Sequence, residues 1–392
     1  MPMALLSGMP TIMQAQLISI NPLKNNFVSF SFESNLESGF WDSYENLWWS
    51  SKNRSPFQAP AYLSSLASQF PDGLAAFKMI KRNRLLGAVL FRKQEDVYHL
   101  LSDVRSDHNY FIIHETCSDC EIREFYQNLF RHLRKLRSQV FLKNIPSWTR
   151  DVDILLHEVK HSRMIRYLSK QKVCMVLNVN EPEEVSKFLL GSGDIRERER
   201  KLIRHQKPVF EIFTGEEYLD DWLEGYYALH RQRWNSTDTP SKYNDKEQRD
   251  RMRRAILSWI DDGIIVRFSI RIGAHRIAYA VCLLHGKTLI HHTTAFDIAY
   301  KKYSPGRVLL LTMARWMKEH GFVVLDFGEG GESYKKNLTN QILPLYNILL
   351  SPPEKVGFII KARLMNDIKN VIQHFGLAGY TKKVLTYIKT SS

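Results

Sequence analysis

The feature that most constrains the fold of this chain is a run of three strand-like segments followed by one helix and one further strand. The three segments span residues 264–272, 277–284 and 288–296. They are rich in β-branched and aromatic residues, and turns containing Gly273 and Gly286 separate them, which predicts an antiparallel meander. Apolar residues at helical spacing then predict a helix over 305–320, and a strand follows at 323–327. This order of elements is typical of an α/β unit.

A similar order of elements precedes this unit in the first half of the chain. Strands are predicted at 75–81, 85–93, 97–101 and 140–145, and a helix at 121–137. A helix, a loop and a second helix at 61–68 are expected between residues 27 and 70. Further helices are expected at 181–190, 195–206, 218–233 and 246–262. With 392 residues, the chain is long enough for two such domains, although the halves show no residue-level repeat.

Charge and composition narrow the classes of partner. The formal net charge of +14 favours an anionic partner such as a phosphate-bearing donor, nucleic acid or a membrane surface, and the alternative is a solvated basic face. No segment reaches the roughly 18 consecutive apolar residues that a membrane span needs. Residues 1–20 lack the basic start of a signal peptide, so we expect a cytoplasmic protein, with association at the inner membrane surface as the alternative.

The four cysteines are too few for a disulfide framework, which also fits a reducing compartment. Cys117 and Cys120 form a Cys-x-x-Cys pair, but no second pair stands at zinc-site spacing. His291 and His292 are adjacent on a predicted strand, so their side chains should point to opposite faces of the sheet. We therefore expect no metal site.

The start of the 305–320 helix is a candidate anion site. The stretch reads Lys302, Tyr303, Ser304, Pro305, Gly306 and Arg307. Ser304 suits the N-cap and Pro305 the first helical position, while Gly306 leaves the backbone open to close approach. Free N–H groups at a helix start bind diphosphates, and Lys302 and Arg307 would add positive charge. On this stretch alone, the alternative is simply a well-capped helix.

A second candidate site follows the strand at 323–327. Asp326 lies on that strand, and a glycine-rich turn leads from it to Glu332, Tyr334 and Lys335. Ligands of open α/β sheets bind at the carboxyl ends of strands, which is where these side chains would gather. Glu332 could act as a base or bind an amine, Tyr334 could protonate a leaving group, and Lys335 could hold an anion. The alternative is a turn with solvated charges.

Several short motifs occur in order along the chain. In the second half they are 229–234, 295–297, 303–306, 325–327 and 332–335, and in the first half 57–60, 85–88 and 106–110. Over residues 196–339 their order and spacing resemble the CelD/BcsL-type acetyltransferase family of cellulose biosynthesis, a GNAT-fold group related to the Fem aminoacyltransferases. Glu329 and Gly331 depart from that family's pattern.

The resemblance implies an α/β (α+β) fold of tandem GNAT-like domains, each a mixed central sheet flanked by helices. It implies an acyltransferase that uses acetyl-CoA, another acyl-CoA or an acyl carrier, with an amine or hydroxyl acceptor such as a polysaccharide or cell-envelope precursor. The expected domains are a non-catalytic one at 1–160, the catalytic one at 161–350 and a basic helical segment at 351–392. The implied catalytic residues are Asp326, Glu332, Tyr334 and Lys335. The implied donor-binding residues are Tyr303, Ser304, Gly306 and Arg307, and the acceptor-binding residues are His230, Arg233 and Trp234.

Two other functions remain open at this point. One is a Fem-like transferase that uses aminoacyl-tRNA, for which the basic charge is the reason. The other is a non-catalytic module that contacts a membrane through residues 354–375. Apolar residues there lie along one helical face and basic residues along the other, so docking on the domain or on a membrane surface is expected. The apolar residues are Ile360, Leu364, Ile368, Val371 and Phe375.

Overall fold

The computed structural model describes residues 28–374 apart from 35, 37–38, 71, 192–193, 236 and 238–239, and the side chains of 171 and 368–374 are not described. The strands are β1 Val28–Glu33, β2 Leu74–Lys81, β3 Arg84–Gln94, β4 Val97–Leu100, β5 Ile112–Ile113, β6 Gln139–Pro146, β7 Ile165–Asn178, β8 Val209–Phe213, β9 Ile265–Ile272, β10 His275–His285, β11 Thr288–Phe296, β12 Val324–Glu329 and β13 Gln341–Ser351. The α-helices are α1 Phe40–Trp49, α2 Pro60–Ala67, α3 Asp119–Lys135, α4 Val152–His161, α5 Pro182–Gly191, α6 Asp194–Gln206, α7 Leu219–Trp234, α8 Lys246–Asp261, α9 Pro305–His320 and α10 Gly357–His374.

The two halves repeat the same local topology, as the sequence predicts. In the first half, β2, β3 and β4 form an antiparallel meander, α3 follows, and β6 pairs parallel to β4. In the second half, β9, β10 and β11 form the meander, α9 follows, and β12 pairs parallel to β11. The predicted α/β fold with mixed sheets flanked by helices is therefore confirmed.

The described strands join into one continuous sheet. Its order is β1-β2-β3-β4-β6-β13-β7-β12-β11-β10-β9-β8, and β5 pairs with β3 beside this path. The connection between the halves is made by β13 and β7, because β13 pairs antiparallel with both β6 and β7, and β7 pairs with β12. The domain limits at 160 and 350 stay a prediction, but the strand that ends near 350 pairs with the first half.

Helices cover both faces of this sheet. On one face, residues from α1, α2, α7 and α8 share a single core that contains Trp48, Tyr62, Trp222 and Trp259 and spans both halves. On the other face, α3 and α4 cover the first half, and α5, α6 and α9 cover the second. Alternate residues of a strand face opposite sides, so Tyr279 enters the shared core while its neighbours pack against α9.

Some expectations about the chain's elements are wrong. The described part of 27–70 begins with β1 rather than a helix, although α1 and α2 follow it. Five further strands and α-helices, namely α4, β5, β7, β8 and β13, are not expected from the sequence. In β7, Arg166, Lys170 and Lys172 place three basic residues within 165–172. In β13, Pro344 interrupts the strand pattern. Neither sequence is therefore typical of a central strand.

The C-terminal segment forms α10, but its predicted apolar face is not docked where it is described. Ile360 and Leu364 are 52% and 57% exposed, whereas Ile359 is buried and Asn366 donates a hydrogen bond of 2.6 Å to the Tyr167 hydroxyl. The helix therefore rests on β7 and β13 through a different face. Ile368, Val371 and Phe375 lie outside the described side chains. Among the residues described, no helix combines the length and apolar character needed to cross a membrane.

Candidate active site

The parallel strands β11 and β12 are paired only at their beginnings. The pairing runs from Thr288 with Val324 to Ile290 with Asp326 and then stops. Beyond this point β12 pairs only with β7, on its other side. The register between β10 and β11 also shifts here, so in the described part of the chain His292 has no partner residue in either ladder. The two strands therefore open into a gap, which we call the β11–β12 cleft.

A side chain from the first half of the protein enters this cleft. The carboxylate Oδ2 of Asp107 lies 3.3 Å from Nδ1 of His292 on β11. On the β12 side, a Cβ atom at Gly328 would lie 2.7 Å from the same Oδ2. Gly328 also has φ of +68°, a conformation that favours glycine. Gly328 thus allows both the turn of β12 and the close approach of Asp107.

Amide side chains hold the loop that carries Asp107. The Asn144 amide donates to the Asp107 carbonyl at 2.9 Å and to the Glu329 carboxylate at 2.6 Å. Gln58 donates to the Asn109 side chain at 3.0 Å and accepts from the Tyr110 N–H at 3.1 Å. Two of the first-half motifs, 57–60 and 106–110, are therefore in direct contact. Together these contacts hold the loop that places Asp107 beside the cleft.

The neighbouring His108 meets Asp326, the predicted catalytic carboxylate on β12. Nε2 of His108 lies 3.3 Å from Oδ2 of Asp326, and both side chains are buried. The other Asp326 oxygen accepts a hydrogen bond of 2.8 Å from the Gly328 N–H. Asp326 is therefore fixed at the closed end of the cleft, where the β11–β12 pairing stops.

A cysteine lies against this pair. Potential ligand atoms of His108, Cys174 and Asp326 all lie within 4.8 Å of one another, so these three residues could hold a metal ion. Burial, followed by the charge of Asp326, keeps the pKa of the Cys174 thiol well above its usual range. This group was not expected from the sequence, because its members come from a loop and two strands that only the fold brings together.

The start of α9 differs in one respect from the prediction. Pro305 occupies the first helical position as expected, but Ser304 has φ of +48° and its side chain caps no N–H group. The Ser304 carbonyl instead accepts hydrogen bonds from the N–H groups of Arg307 and Val308. The Gly306 N–H bonds to no other described residue, so it remains available to a ligand.

Gly306 lies beside the open end of the cleft. A Cβ atom there would come within 3.2 Å of the Phe296 ring at the end of β11. The other predicted donor-binding residues point elsewhere. The Tyr303 side chain is buried, with its hydroxyl 3.3 Å from the Gln206 amide of α6, and Arg307 lies 3.2 Å from the Asp194 carboxylate.

Of the predicted acceptor residues on α7, Arg233 reaches the cleft. Its guanidinium lies 4.8 Å from the centre of the Phe296 ring and 5.4 Å from that of Trp234. His230 lies deeper, with Nδ1 2.8 Å from the Ser241 hydroxyl. Burial, helped by nearby cations, lowers the pKa of His230 to about 4, so this imidazole is neutral at pH 7.

The predicted residues after β12 lie on a short 3-10 helix, Ser333–Leu338, or just before it. Lys335 is buried, and its Nζ lies 2.7 Å from the Glu332 carboxylate. Tyr334 is half exposed. Partial burial and the Glu332 charge raise the pKa of Tyr334, while the Arg233 charge opposes that rise. The Tyr334 hydroxyl therefore lies within range of the Arg233 charge.

The two neighbouring histidines of β11 do point to opposite faces, as predicted. His292 contacts Phe57 and Trp259 in the shared core, whereas His291 contacts Phe327 on the α9 face. Burial, and then the Lys335 charge, lowers the pKa of His291 to about 4. The pair cannot ligate one metal ion together.

A cavity of about 450 Å³ lies below the closed end of the cleft, on the face of the shared core. Tyr110, Trp148 and His285 line it, and His108 and Asp326 form part of its wall. Residues from both halves of the protein therefore surround it.

Comparison with known proteins supports the assignment of the second half. Residues 192–336 match the family model of the acetyltransferase (GNAT) domain. No curated protein sequence matches the chain significantly.

Among solved structures, FemX is similar with a TM-score of 0.60 and 9% identity, over 84% of this chain and 99% of that one. A conserved protein of unknown function from Bacteroides thetaiotaomicron has a TM-score of 0.51 and 11% identity, over 82% of this chain and 100% of that one. A tandem GNAT protein from the clavulanic acid biosynthesis pathway has a TM-score of 0.46 and 9% identity, over 83% and 99%. Residues 192–336 are therefore similar to the acetyltransferase (GNAT) domain family, within a chain whose fold resembles that of FemX.

Proposed function

We propose that this protein is an N-acyltransferase that transfers an acyl group from acyl-CoA to an amine. The observation that carries the proposal is the β11–β12 cleft. On one side of it lies His292, which has no partner residue in either described ladder, and the Asp107 carboxylate lies within it. A thioester in such a gap meets a backbone donor and a base at once. The GNAT domain assignment of residues 192–336 supports the same donor.

The donor is proposed to enter at the open end of the cleft. The Gly306 N–H and the positive end of the α9 dipole bind its diphosphate, and Arg233 lies close enough to add a charge. The pantetheine arm then runs between the separated strands. At the cleft's closed end the backbone N–H of His292 polarises the thioester carbonyl.

The acyl transfer needs one base and one acid. Asp107 accepts a proton from the acceptor amine, whose nitrogen attacks the thioester carbon. The new C–N bond forms as the C–S bond breaks, and the leaving thiolate takes up the proton that Asp107 removed from the amine. The enzyme forms no covalent intermediate in this scheme. Asp326 and His108 orient the turn at Gly328 and thereby the approach of Asp107.

We also propose a chemical class for the acceptor. The motifs at 229–234 and 325–335 resemble those of the CelD/BcsL-type family, which supports an acceptor among polysaccharide or cell-envelope precursors. Such a reaction would take place in the cytoplasm, at or near the inner membrane surface. The exposed Ile360 and Leu364 of α10 are available for that contact.

Calorimetric titration with CoA tests the donor site. The Gly306→Glu substitution places a carboxylate against Phe296 at the helix start, so we expect it to abolish CoA binding. Gly357→Glu is the matched control, because Gly357 also opens a helix, lies on α10, and has no atom within 4 Å of where a Cβ would lie. If Gly306→Glu binds CoA as the parent does, the donor site lies elsewhere. A lack of turnover across a broad panel of thioesters and amines would refute the enzymatic proposal.

A second candidate is an aminoacyl-tRNA-dependent transferase. The net charge of +14 and the similarity of the fold to that of FemX favour it. Electrostatic binding of tRNA should weaken steeply as salt rises. The absence of a tRNA complex at low salt, together with turnover of acetyl-CoA, would exclude this candidate.

A further inference from the structure

A groove with mostly cationic walls lies on the same face of the sheet as Asp107. Its volume is about 300 Å³, and strands β3, β4 and β6 form one side while α8 forms the other. Its charged lining residues are Arg92, Asp103, Arg105, Lys143 and Arg251. Four of these five are cationic, so the groove carries an excess of positive charge.

The carboxylate in this lining is already bound. Asp103 pairs with Arg105 and accepts a hydrogen bond of 2.9 Å from the Tyr62 hydroxyl. Arg105 is only 2% exposed, donates to the Gln248 carbonyl at 3.2 Å, and has no partner for its buried Nε among the described residues. These contacts fix the orientation of Arg105. Its buried Nε–H group therefore points in one direction and has no acceptor among the described residues.

Two further cations of the groove have no ion pair within the described chain. The Arg92 guanidinium lies 3.7 Å from the centre of the Phe70 ring. Lys143 is half-buried, and burial, followed by the charge of Lys172, lowers its pKa. The charges of Glu329, Asp103 and Asp107 oppose this lowering, but within the described chain none of these carboxylates forms an ion pair with Lys143. An anion bound here would therefore stabilise both cations.

The inner end of the groove adjoins the cleft. Lys143 precedes Asn144, whose amide holds both Asp107 and Glu329, and the Lys143 carbonyl accepts from the Asn109 amide at 2.9 Å. The Asp107 and Glu329 charges act on the Lys143 ammonium, so a group bound by Lys143 would lie near the Asp107 carboxylate.

We infer that this groove binds a phosphate or diphosphate group on the acceptor, so that the acceptor's amine is presented to Asp107. The inference rests on the proposed function and adds the chemical class of its acceptor. Arginine side chains provide paired donors that match phosphate oxygens, and Lys143 provides a point charge. The small volume fits the head group of a small molecule rather than a length of nucleic acid.

Titration of the CoA-saturated protein with inorganic pyrophosphate tests the inference, because CoA first fills the donor site. We expect saturable binding that weakens at least about tenfold in Lys143→Gln and in Arg92→Gln. Lys187→Gln is the control, since it removes the same charge from an exposed position of α5 and should leave binding unchanged. Equal binding by the parent and Lys143→Gln, or no binding at all, would overturn the inference.

The Gly306→Glu variant separates this inference from the proposed function. It should lose CoA binding and keep the Lys143-dependent binding of pyrophosphate. If the parent protein bound no CoA but still bound pyrophosphate through Lys143, the proposed function would fail and the phosphate site would remain. UDP is the second probe: equal or tighter binding than pyrophosphate supports a small phosphorylated acceptor. Displacement of pyrophosphate by tRNA but not by UDP would contradict it.

Discussion

The carboxylate of Asp107 lies 3.3 Å from Nδ1 of His292, although 185 positions separate the two residues in sequence. The contact joins the first half of the protein to strand β11 of the second half, beside the β11–β12 cleft. Under the proposed function the first half is therefore part of the active site, because it supplies the base. Residues 192–336 expressed alone would lack that group.

Replacing Asp107 should impair catalysis more than donor binding. Asp107→Asn keeps the size and the hydrogen bonds of the side chain but removes the base, so we expect kcat to fall about 100-fold while CoA affinity stays unchanged. Steady-state kinetics and calorimetry measure the two effects. Asp42→Asn, on the exposed side of α1, is the control. An unaltered kcat in Asp107→Asn would remove this residue from the mechanism.

Gly328→Ala should lose both stability and activity. A non-glycine residue at φ of +68° costs about 1 kcal/mol, and the new Cβ would lie 2.7 Å from the Asp107 carboxylate. Gly263→Ala is a matched control, since Gly263 has φ of +66° and no atom within 4 Å of its Cβ position. Urea unfolding should show the strain in both variants, while only Gly328→Ala should lose turnover. Equal activity in the two would show that Asp107 can move without consequence.

Gly225→Ala should destabilise the shared core. Gly225 lies on α7 where a Cβ atom would come within 2.0 Å of the Tyr279 hydroxyl, so the ring or the helix must move. Overpacking of this kind costs about 1–3 kcal/mol. Gly357→Ala, at an open position of α10, should change the free energy of unfolding by less than about 0.5 kcal/mol. Chemical denaturation of both variants gives the comparison, and similar values would argue against the close α7–β10 packing.

Asp262 should make stability depend on pH. Its carboxylate follows α8 and accepts a hydrogen bond of 3.1 Å from the Ala61 N–H of α2, and burial raises its pKa to about 6. The folded state therefore holds this proton more tightly than the unfolded state, so stability falls as pH rises from about 4 to about 6. With allowance for solvent screening, the free energy of unfolding should fall by about 1 kcal/mol over this pH range.

The Asp262→Asn variant provides the check on this pH dependence. Asparagine keeps an acceptor oxygen for Ala61 but does not titrate, so its stability should change less over the same pH range. Urea midpoints measured at pH 4 and pH 6.5 for the parent and the variant give the difference. Parallel pH profiles would show that Asp262 does not titrate in this range.

The second half of the protein was the more predictable part, for local reasons. Strand β11 and helix α9 have the limits expected from the sequence, because turn glycines, Pro305 and apolar periodicity all act within a few residues. The sequence does not predict the central strands β7 and β13, because β7 is rich in polar residues and β13 contains a proline. Their position in the sheet depends on their pairing with each other, which the local sequence does not indicate. The predicted side-chain cap at Ser304 is wrong because the residue adopts a left-handed conformation.

The candidate site was only partly predictable. Arg233 and Gly306 are identified from sequence, and both lie beside the Phe296 ring at the open end of the cleft, although their roles remain proposals. Asp107 and His108 were visible only as part of a motif. Their approach to His292 and Asp326 depends on how two distant halves pack, which no local pattern encodes.

The position of β13 has a consequence for synthesis of the protein. Residues 341–351 form the strand that lies between β6 and β7. While the ribosome is still adding the second half, the edge of β6 that β13 will cover has no neighbour, and exposed strand edges attract other chains. The first half thus completes its sheet only after residue 351 has emerged, so products truncated before β13 should be more prone to self-association than chains that contain it.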